Sequence, residues 1–387
     1  MDSYREIFST PAMQEIFSDQ QLVHAMLRYE SAWARACAAE GLIPSTSCVV
    51  IREACESLTA RRLLLGDAAQ LAGNPVLPLV DALRAEVASR TPEAAAHVHF
   101  SATTQDVLDS ARCLQMVQAF AWLDGVLETI LRALHLLADA HRRTPCLART
   151  LMRQARATSF GLLVAQWHCG LAEARARLNA LRSNLPLQYG GASGTLEGLG
   201  GAGIGVAERT AGFLGLVMPN LPWHTRRTFV VETGVGLGLL VGAAGKIARD
   251  VSLLSQDEVG EVDEPWTPGR GASTAMAHKR NPIGCAAILA QSTRVPGMVA
   301  TLFSAMSQEH ARALGGWQAE WETLPEIWFA AAGVCAHLEK ICTGLQVFPA
   351  RMRENLQAAG WLMGEDFSHP DLEALFARAF QPGIGRG

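Results

Sequence analysis

The stretch from 269 to 282 combines small residues, hydroxyls and basic side chains, reading Gly-Arg-Gly-Ala-Ser-Thr-Ala-Met-Ala-His-Lys-Arg-Asn-Pro. Glycine lets a backbone turn tightly and bring its N–H groups close to a ligand. Successive N–H groups form a concave seat for an anion, to which Lys279 would add a full positive charge. An alkoxide on Ser273 would be stabilised by the surrounding amides and the ammonium group. The stretch therefore predicts an anion site with a reactive serine, although a mobile glycine loop with a solvated Lys-Arg pair would read the same.

A second polar stretch, His-Val-His-Phe-Ser-Ala-Thr-Thr-Gln-Asp over 97–106, comes directly before a long helical pattern. Thr103 or Thr104 is expected to cap this helix, with Asp106 in its first turn. Hydroxyls and unpaired N–H groups at a helix N-terminus form a ready site for a carboxylate. Read alone, the stretch would equally be an ordinary helix cap.

The elements that must position these stretches are long helices. From 104 to 141, apolar residues recur at helical spacing, interrupted by the single glycine Gly125. Four further long helical patterns follow, at 155–184, 228–258, 283–307 and 318–344. Five long helices in succession, joined by short loops, predict an elongated bundle. We therefore expect an all-α fold, with 188–195 as a small possible strand region.

Breaks in the helical pattern predict three parts. Up to residue 95, short helical patterns such as 21–40 alternate with Gly and Pro stops. We expect a small N-terminal helical domain over 1–95, the long-helix bundle over 96–345, and a short, reduced C-terminal remnant over 346–387. Within the last part, one amphipathic helix is expected over 372–380, and 383–387 are expected to be disordered.

Composition excludes several classes of protein. A formal net charge of −4 gives no basic field to hold nucleic acid or an acidic membrane. Nine scattered cysteines, without a Cys-x-x-Cys pair, argue against a disulfide framework or zinc site and for a reducing cytoplasm. The N-terminus does not read as a signal peptide, and the longest uncharged apolar run, 233–245, is too short for a bilayer. No metal-ligand spacing or nucleotide-binding motif is present, so we expect a soluble, cytoplasmic protein with no cofactor and no metal.

The stretch 269–282 resembles the signature of the fumarase/aspartase superfamily, Gly-Ser-Ser-x-Met-Pro-x-Lys-x-Asn-Pro. The match in order and spacing covers five residues: Ser273, Met276, Lys279, Asn281 and Pro282. The resemblance implies that Ser273 is the base that takes a carbon-bound proton, and that Lys279 and Asn281 bind substrate. Two departures are Thr274 for the second serine and Ala277 for the loop proline, whose loss would leave the empty loop freer.

The same resemblance extends to two other stretches. The superfamily's His-x-Gly-x-Thr-Ser-x-Asp motif implies four substrate-binding residues here: His99, Thr103, Thr104 and Gln105. Its Gly-Arg-Thr-His-x-Gln motif is matched by Arg149 and Thr150, which are thereby implied to bind substrate. Leu151 stands at the histidine often assigned as the general acid, and Arg153 stands at the glutamine. Because leucine cannot transfer protons, a straightforward adenylosuccinate, argininosuccinate or fumarate reaction is not expected.

Further stretches resemble one branch of the superfamily, the bacterial carboxymuconate cycloisomerases: 222–227, 260–265, 308–310 and 317–325. Members of this branch also lack the histidine after Arg-Thr. The implied activity is a cofactor-free interconversion of 3-carboxy-cis,cis-muconate and its lactone, in which a substrate carboxylate adds across a double bond and Ser273 handles the α-carbon proton. No leaving group departs, so the histidine is dispensable. A β-elimination lyase acting on another substituted succinate and a non-catalytic helical scaffold are the alternatives.

The spacing of these residues along the first long helix predicts an oligomer. Thr103 and Thr104 open this helix, whereas Arg149 and Thr150 lie just beyond its other end. Roughly 36 helical residues at about 1.5 Å each put about 54 Å between the two groups. No small polycarboxylate spans that gap, so the two groups cannot bind one ligand within one subunit. The resemblance implies a homotetramer with active sites shared between subunits, and we expect this assembly with a small polycarboxylate substrate and neither nucleic acid nor membrane as partner.

Overall fold

The computed structural model describes residues 3–63, 65–276, 278–362, 364 and 366–381. Most of these residues are helical, and the sheets formed within the described ranges are two pairs of short strands. The expected all-α fold, a fumarase/aspartase-like elongated bundle of five long helices, is confirmed. The predicted disordered tail over 383–387 and the departure at Ala277 lie outside the described residues.

The N-terminal part consists of short and medium helices: α1 Ser3–Phe8, α2 Pro11–Ile16, α3 Asp19–Ala39, α4 Ser45–Thr59, α5 Gly66–Ala72, α6 Val76–Arg90 and the 3-10 helix Pro92–His97. Helix α3 begins after Ser18, whose Oγ accepts a hydrogen bond from the backbone N–H of Gln21 at 3.2 Å. Its face with Met26 and Trp33 is buried and packs against α4 and the first long helix. The helix expected over 21–40 is therefore confirmed.

The central segment contains, in chain order, α7 Thr104–Ala140, β1 Pro145–Thr150, β2 Arg153–Ser159, α8 Phe160–Arg182, α9 Gly203–Leu214, α10 Thr228–Leu254, β3 Val262–Asp263, α11 Ile283–Ser304 and α12 Gly316–Gly344. The long helices α7, α8, α10, α11 and α12 form the bundle. Helix α7 packs against α8 and α12, and α10 packs against α8, α11 and α12. Except for α8, each expected helix matches the observed one to within a few residues.

Helix α10 forms the middle of the bundle. It is long and apolar enough to cross a membrane by length and composition, and 56% of its most apolar window is buried inside the protein. A Cβ at Gly245 would collide with the side chain of Ser292 on α11, so glycine allows the two helices to approach closely. The packing of α10 against three helices is that of a core helix.

The expected start of the second long helix is wrong. Residues 145–159 form an antiparallel hairpin of β1 and β2, and α8 begins only at Phe160, with Ser159 as its N-cap. A buried helix needs apolar residues three and four apart. Between 148 and 158, the large apolar residues Leu151 and Met152 are adjacent, so no helical stripe exists to bury.

The possible strand at 188–195 is also wrong, because this segment is an irregular loop. Gly190, Gly191 and Gly194 have φ values of 136°, 69° and 82°, which an extended strand does not use. The chain ends with β4 Gln346–Val347, α13 Pro349–Ala358 and α14 Leu372–Ala379, and β4 pairs with β3. The helix expected over 372–380 is confirmed, while the division at 95 and 345 stays a prediction.

Candidate active site

The residues predicted to form the site lie at the two ends of α7. The α7-start cluster comprises His99, Thr103, Thr104 and Gln105, which precede or begin this helix. The hairpin-end cluster comprises Arg149, Thr150, Ser273, Lys279 and Asn281, carried by the β1–β2 hairpin and the loop before α11. Helix α7 has 37 residues, which at 1.5 Å per residue is about 55 Å. One chain therefore places the two clusters at opposite ends of the bundle and keeps them apart.

The loop 269–282 is closed at its base by its own residues. The backbone N–H and the side-chain Nδ2 of Asn281 donate to the carbonyl of Gly271 at 2.9 and 3.0 Å. Gly271 has a φ of 66°, and a Cβ there would collide with the Asn281 backbone, so this position requires glycine. Arg270 pairs with Glu264 at 2.8 Å, and Glu264 also accepts two N–H groups from the first turn of α11. Within this chain, Asn281 therefore closes the loop 269–282 through its two hydrogen bonds to Gly271.

Ser273 sits in the seat of backbone amides that the sequence predicts. Its Oγ accepts hydrogen bonds from the N–H groups of Ala275 and Met276 at 3.3 and 3.2 Å. Lys279 lies in the same loop with its side chain exposed. Two donors aimed at one oxygen stabilise a negative charge on it. The loop can therefore support a serine that gives up and regains a proton.

Arg149 is neutralised within its own chain. Its Nη2 and Nη1 lie 2.7 and 3.1 Å from the two carboxylate oxygens of Glu261, which is 1% exposed. Asn355 donates to the same carboxylate at 2.7 Å. These two parallel hydrogen bonds between Arg149 and Glu261 join the hairpin to the segment after α10. Thr150 is exposed beside the tip, paired in register with Arg153.

The tip of the hairpin is strained and apolar. Leu151 and Met152 have φ values of 50° and 64° and are 97% and 76% exposed. Residues with a side chain in this left-handed region cost of order 1–3 kcal/mol each, and two-residue loops of this kind favour Asn-Gly. Strain and exposed apolar surface at one point are typical of a segment that contacts another chain. The tip carries no group able to transfer a proton.

Asp106 joins the α7-start cluster to the segments that contain Gly191 and His224. Thr103 has the extended backbone of an N-cap, and its N–H donates to Asp106 Oδ2 at 3.2 Å, so the predicted cap is confirmed. The same oxygen accepts from the N–H of Gly191 at 2.9 Å, while Oδ1 lies 2.7 Å from Nε2 of His224. Thr103 and Thr104 remain half-buried at the helix start, where free N–H groups favour an anion.

His99 adopts a left-handed backbone conformation with a φ of 59°. Its Nδ1 lies 2.6 Å from Oε1 of Glu30 on α3. Burial opposes protonation of His99, but the Glu30 carboxylate outweighs burial, so the pKa of His99 lies above its usual value. The sequence predicted a substrate-binding role for His99 but gave no role to Glu30.

Gln105, at the start of α7, is buried. Its Nε2 donates to the carbonyl of His224 at 2.8 Å and to Asp109 at 3.2 Å, and its Oε1 accepts from Arg312 at 3.0 Å. Because both ends of this amide are engaged inside the protein, Gln105 positions Arg312. A substrate contact by Gln105 itself stays a prediction.

Arg312 is a cation that the sequence reasoning missed. Besides Gln105 it donates to the carbonyls of Gly191 and Ala192 at 2.5 and 3.2 Å, and all three acceptors are uncharged. Partial burial lowers its pKa from the ordinary value, yet an arginine stays charged at neutral pH. Among the ion pairs of the described residues, none involves Arg312. Its charge is therefore available to a substrate carboxylate.

A buried ion cluster lies behind this surface. Arg227, 2% exposed, donates to Asp109 on α7 at 2.7 Å and to Glu320 on α12 at 2.5 Å. Asp109 also accepts from Trp317 Nε1 at 2.9 Å and from Gln188 at 3.1 Å. Burial raises the pKa of Glu320, whereas at Asp109 the opposing effect of Arg227 outweighs burial and lowers the pKa. The cluster holds the ends of three bundle helices together.

The described residues contain no group of three His, Cys, Asp or Glu side chains that could hold a metal ion.

The fold and the seated serine are those of a lyase of the fumarase/aspartase type. The chain matches the lyase family over residues 4–297 and belongs to it. The protein is therefore an enzyme, as expected.

Individual relatives narrow the comparison. The 3-carboxy-cis,cis-muconate cycloisomerase of Bradyrhizobium diazoefficiens is 44% identical over 361 residues, covering 93% of this chain and 80% of the relative. Nitrosuccinate lyase of Streptomyces davaonensis is 40% identical over 351 residues, covering 89% and 74%. The crystal structure of the 3-carboxy-cis,cis-muconate lactonizing enzyme from Pseudomonas putida matches with a TM-score of 0.86 at 42% identity, covering 92% and 79%. The similarity thus reaches both a cycloisomerase and a lyase.

Proposed function

We propose that the protein is a cofactor-free cycloisomerase that interconverts 3-carboxy-cis,cis-muconate and its carboxymuconolactone. The observation that carries the proposal is a seated Ser273 combined with a hairpin tip that offers Leu151 and Met152 instead of a proton donor. Such a site can move one proton but has no second acid at the tip for a departing group. An intramolecular addition needs no such acid. The similarity to enzymes named for this reaction supports the same substrate.

In the lactone-forming direction, one substrate carboxylate oxygen bonds to an alkene carbon. The alkene electrons move to the adjacent carbon and its carboxylate. The Ser273 hydroxyl gives its proton to that carbon, and the seat of N–H groups stabilises the alkoxide until water returns a proton. In reverse, the alkoxide removes the proton and the internal carboxylate leaves. Holding the attacking carboxylate against the alkene supplies much of the rate, because the reaction is intramolecular.

We also propose that the active enzyme is a homotetramer whose sites combine clusters from different subunits. Ser273 and Lys279 of one subunit then meet His99, Thr103 and Arg312 of another. The length of α7 supports this arrangement, since about 55 Å exceeds any small tricarboxylate. Exposed apolar surface supports it too: Leu151 is 97%, Leu239 50% and Phe303 55% exposed.

We place the enzyme in the cytoplasm, in the breakdown of aromatic acids. Its nine cysteines are unpaired and eight are buried, which suits a reducing compartment.

A second candidate is β-elimination from another substituted succinate. The 40% identity to nitrosuccinate lyase favours it. Arg153, which adds a cation beside the hairpin tip where the superfamily motif has glutamine, also favours it.

Ultraviolet absorbance distinguishes the two candidates. Purified protein is added to 3-carboxymuconate and, in parallel, to nitrosuccinate and other substituted succinates, with Ser273→Ala as control. We expect loss of muconate absorbance, a lactone in the proton NMR spectrum, and no fumarate from the succinates. Fumarate from a succinate with muconate left intact would replace the cycloisomerase by the second candidate. Inertness towards all of these substrates would exclude both candidates.

A further inference from the structure

Glu30 is a buried acid that belongs to neither predicted cluster. It lies on α3 and is 1% exposed, and its Oε1 is 2.6 Å from Nδ1 of His99. A carboxylate buried without a partner of opposite charge is strongly disfavoured. Protonation of His99 gives the carboxylate this partner, and the raised pKa of His99 favours such an ion pair.

The same helix also fixes the backbone beside His99. Trp33 Nε1 donates to the carbonyl of Phe100 at 2.8 Å. Glu30 and Trp33 are three residues apart and so lie on one face of α3. His99 and Ser101, on either side of Phe100, have φ values of 59° and 53°. Residues with side chains keep this conformation only where their surroundings enforce it. Helix α3 contributes to that enforcement through Trp33 and holds the His99 ring through Glu30.

The geometry leaves one ring nitrogen of His99 for a ligand. Nδ1 is engaged by Glu30, so Nε2 is the nitrogen that remains, and 14% of the side chain is exposed. In the proposed reaction, negative charge develops on the carboxylate attached to the carbon that receives the proton. A fixed cation beside that carboxylate stabilises the transition state more than the ground state.

We propose that Glu30 is a positioning residue: it orients His99 and keeps it charged, so that the Nε2–H group binds the substrate carboxylate on which charge develops. No proton leaves His99 in this step, because Ser273 protonates the carbon. The identity of the substrate rests on the proposed function, whereas the charge state of His99 does not.

The groups that set this charge state come from three helices. Glu30 on α3 and Asp106 on α7 favour the imidazolium, while burial and Arg84 on α6 oppose it, and the net effect raises the pKa of His99. Tyr29, next to Glu30, stays neutral because burial raises its pKa well above the usual value. Removing the charge of Glu30 while keeping its shape should therefore lower the pKa of His99.

The test compares the wild type with Glu30→Gln, using isotope-labelled histidine and NMR. The His99 signal is assigned by its loss in His99→Asn. We expect wild-type His99 to titrate above the ordinary histidine value of about 6.5, and lower in Glu30→Gln. The fall of kcat/KM at high pH should begin at lower pH in Glu30→Gln, by the same number of pH units as the NMR midpoint. Above the pKa of His99, each pH unit lowers the fraction of imidazolium tenfold. Glu40→Gln, just beyond α3 and paired with Arg209 at 2.6 Å, is the matched control and should change neither curve.

If His99 titrates with the same NMR midpoint in the wild type and in Glu30→Gln, the inference is overturned. An unchanged fall of kcat/KM at high pH despite a lowered NMR midpoint would overturn the part concerning the reaction. If Glu30→Gln does not fold, the wild-type titration decides alone, because a midpoint at or below the ordinary value refutes the ion pair. Wild-type protein inert towards 3-carboxymuconate would refute the proposed function instead, and the NMR comparison would still be valid.

Discussion

The substitution Arg227→Met removes the buried cation that joins α7, α10 and α12. Arg227 donates to both oxygens of Asp109 and of Glu320, and these two acids are each 5% exposed. Without the guanidinium, both carboxylates remain in the core without an ion-pair partner. Breaking a buried ion pair by removing one partner costs about 3–5 kcal/mol. Because two acids lose the same partner here, we expect the upper end of that range, about 5 kcal/mol.

The measurement is guanidinium-induced unfolding at one protein concentration, at pH 7.5 and pH 5.5. In the variant, the folded state should bind protons on Asp109 and Glu320 more readily than the unfolded chain does. Acids whose folded pKa is raised destabilise the fold above that pKa, so the variant should regain stability as the pH falls. In the wild type, Arg227 holds the pKa of Asp109 below its usual value, so its contribution is present above the unfolded pKa and is lost only at more acidic pH.

Arg226→Met is the matched control. The side chain of Arg226, next to Arg227 in the sequence, is exposed and donates one long hydrogen bond to the carbonyl of Leu221 at 3.3 Å. Its loss should therefore change the free energy of unfolding by less than about 0.5 kcal/mol. A loss of under about 1 kcal/mol in Arg227→Met would be no more than that of an average substitution. Such a small loss, or a loss equal at both pH values, would refute the reasoning that charge compensation holds this end of the bundle.

Four further predictions concern the site. Ser273→Ala should lower kcat by roughly 10²–10⁴ without changing the melting temperature, and near-wild-type turnover would contradict the assignment. Arg312→Gln should lower kcat/KM by roughly 10- to 100-fold, the worth of a hydrogen bond to a charged group; equal values at several salt concentrations would count against a substrate contact. His99→Asn and Ser273→Ala, each inactive alone, should regain activity on co-refolding, whereas a dead mixture, or an active monomer by light scattering, would refute shared sites. Replacing Leu151-Met152 by Asn-Gly should keep or raise the melting temperature, because Asn-Gly prefers this turn, yet abolish activity; full activity would remove the tip from the site.

The long helices were predictable because each carries a continuous apolar stripe. Helix α7 was expected over 104–141 and runs from Thr104 to Ala140, with Thr103 and Asp106 forming its cap. Such patterns are local, since residues three and four apart share a helix face. The hairpin was missed because Leu151 and Met152 are adjacent, and their strained turn contradicts the usual residue preferences.

Contacts between distant segments were beyond the sequence. Glu30 and His99 are 69 positions apart, and Arg312 and Gln105 are 207 apart. One signal was present: Glu30 is an acid four residues after Met26 and three before Trp33, on the buried face of α3. An acid on an apolar face needs a partner, but only the fold identifies it. The catalytic role of Ser273 stays a prediction, as do the substrate-binding roles of eight residues: His99, Thr103, Thr104, Gln105, Arg149, Thr150, Lys279 and Asn281.

The hairpin tip has a consequence for how this scaffold changes over evolutionary time. Leu151 and Met152 make few contacts in their own subunit, so replacing them disturbs its core little. The seated serine and the bundle lie on other segments of the chain. In the proposed homotetramer, two codons can therefore alter the side chains offered to a neighbouring subunit while the rest of the gene stays under its existing constraints. A duplicated gene could therefore change from a lactone-forming enzyme to an eliminating one in few mutations. The elimination requires one proton-donating side chain at the tip.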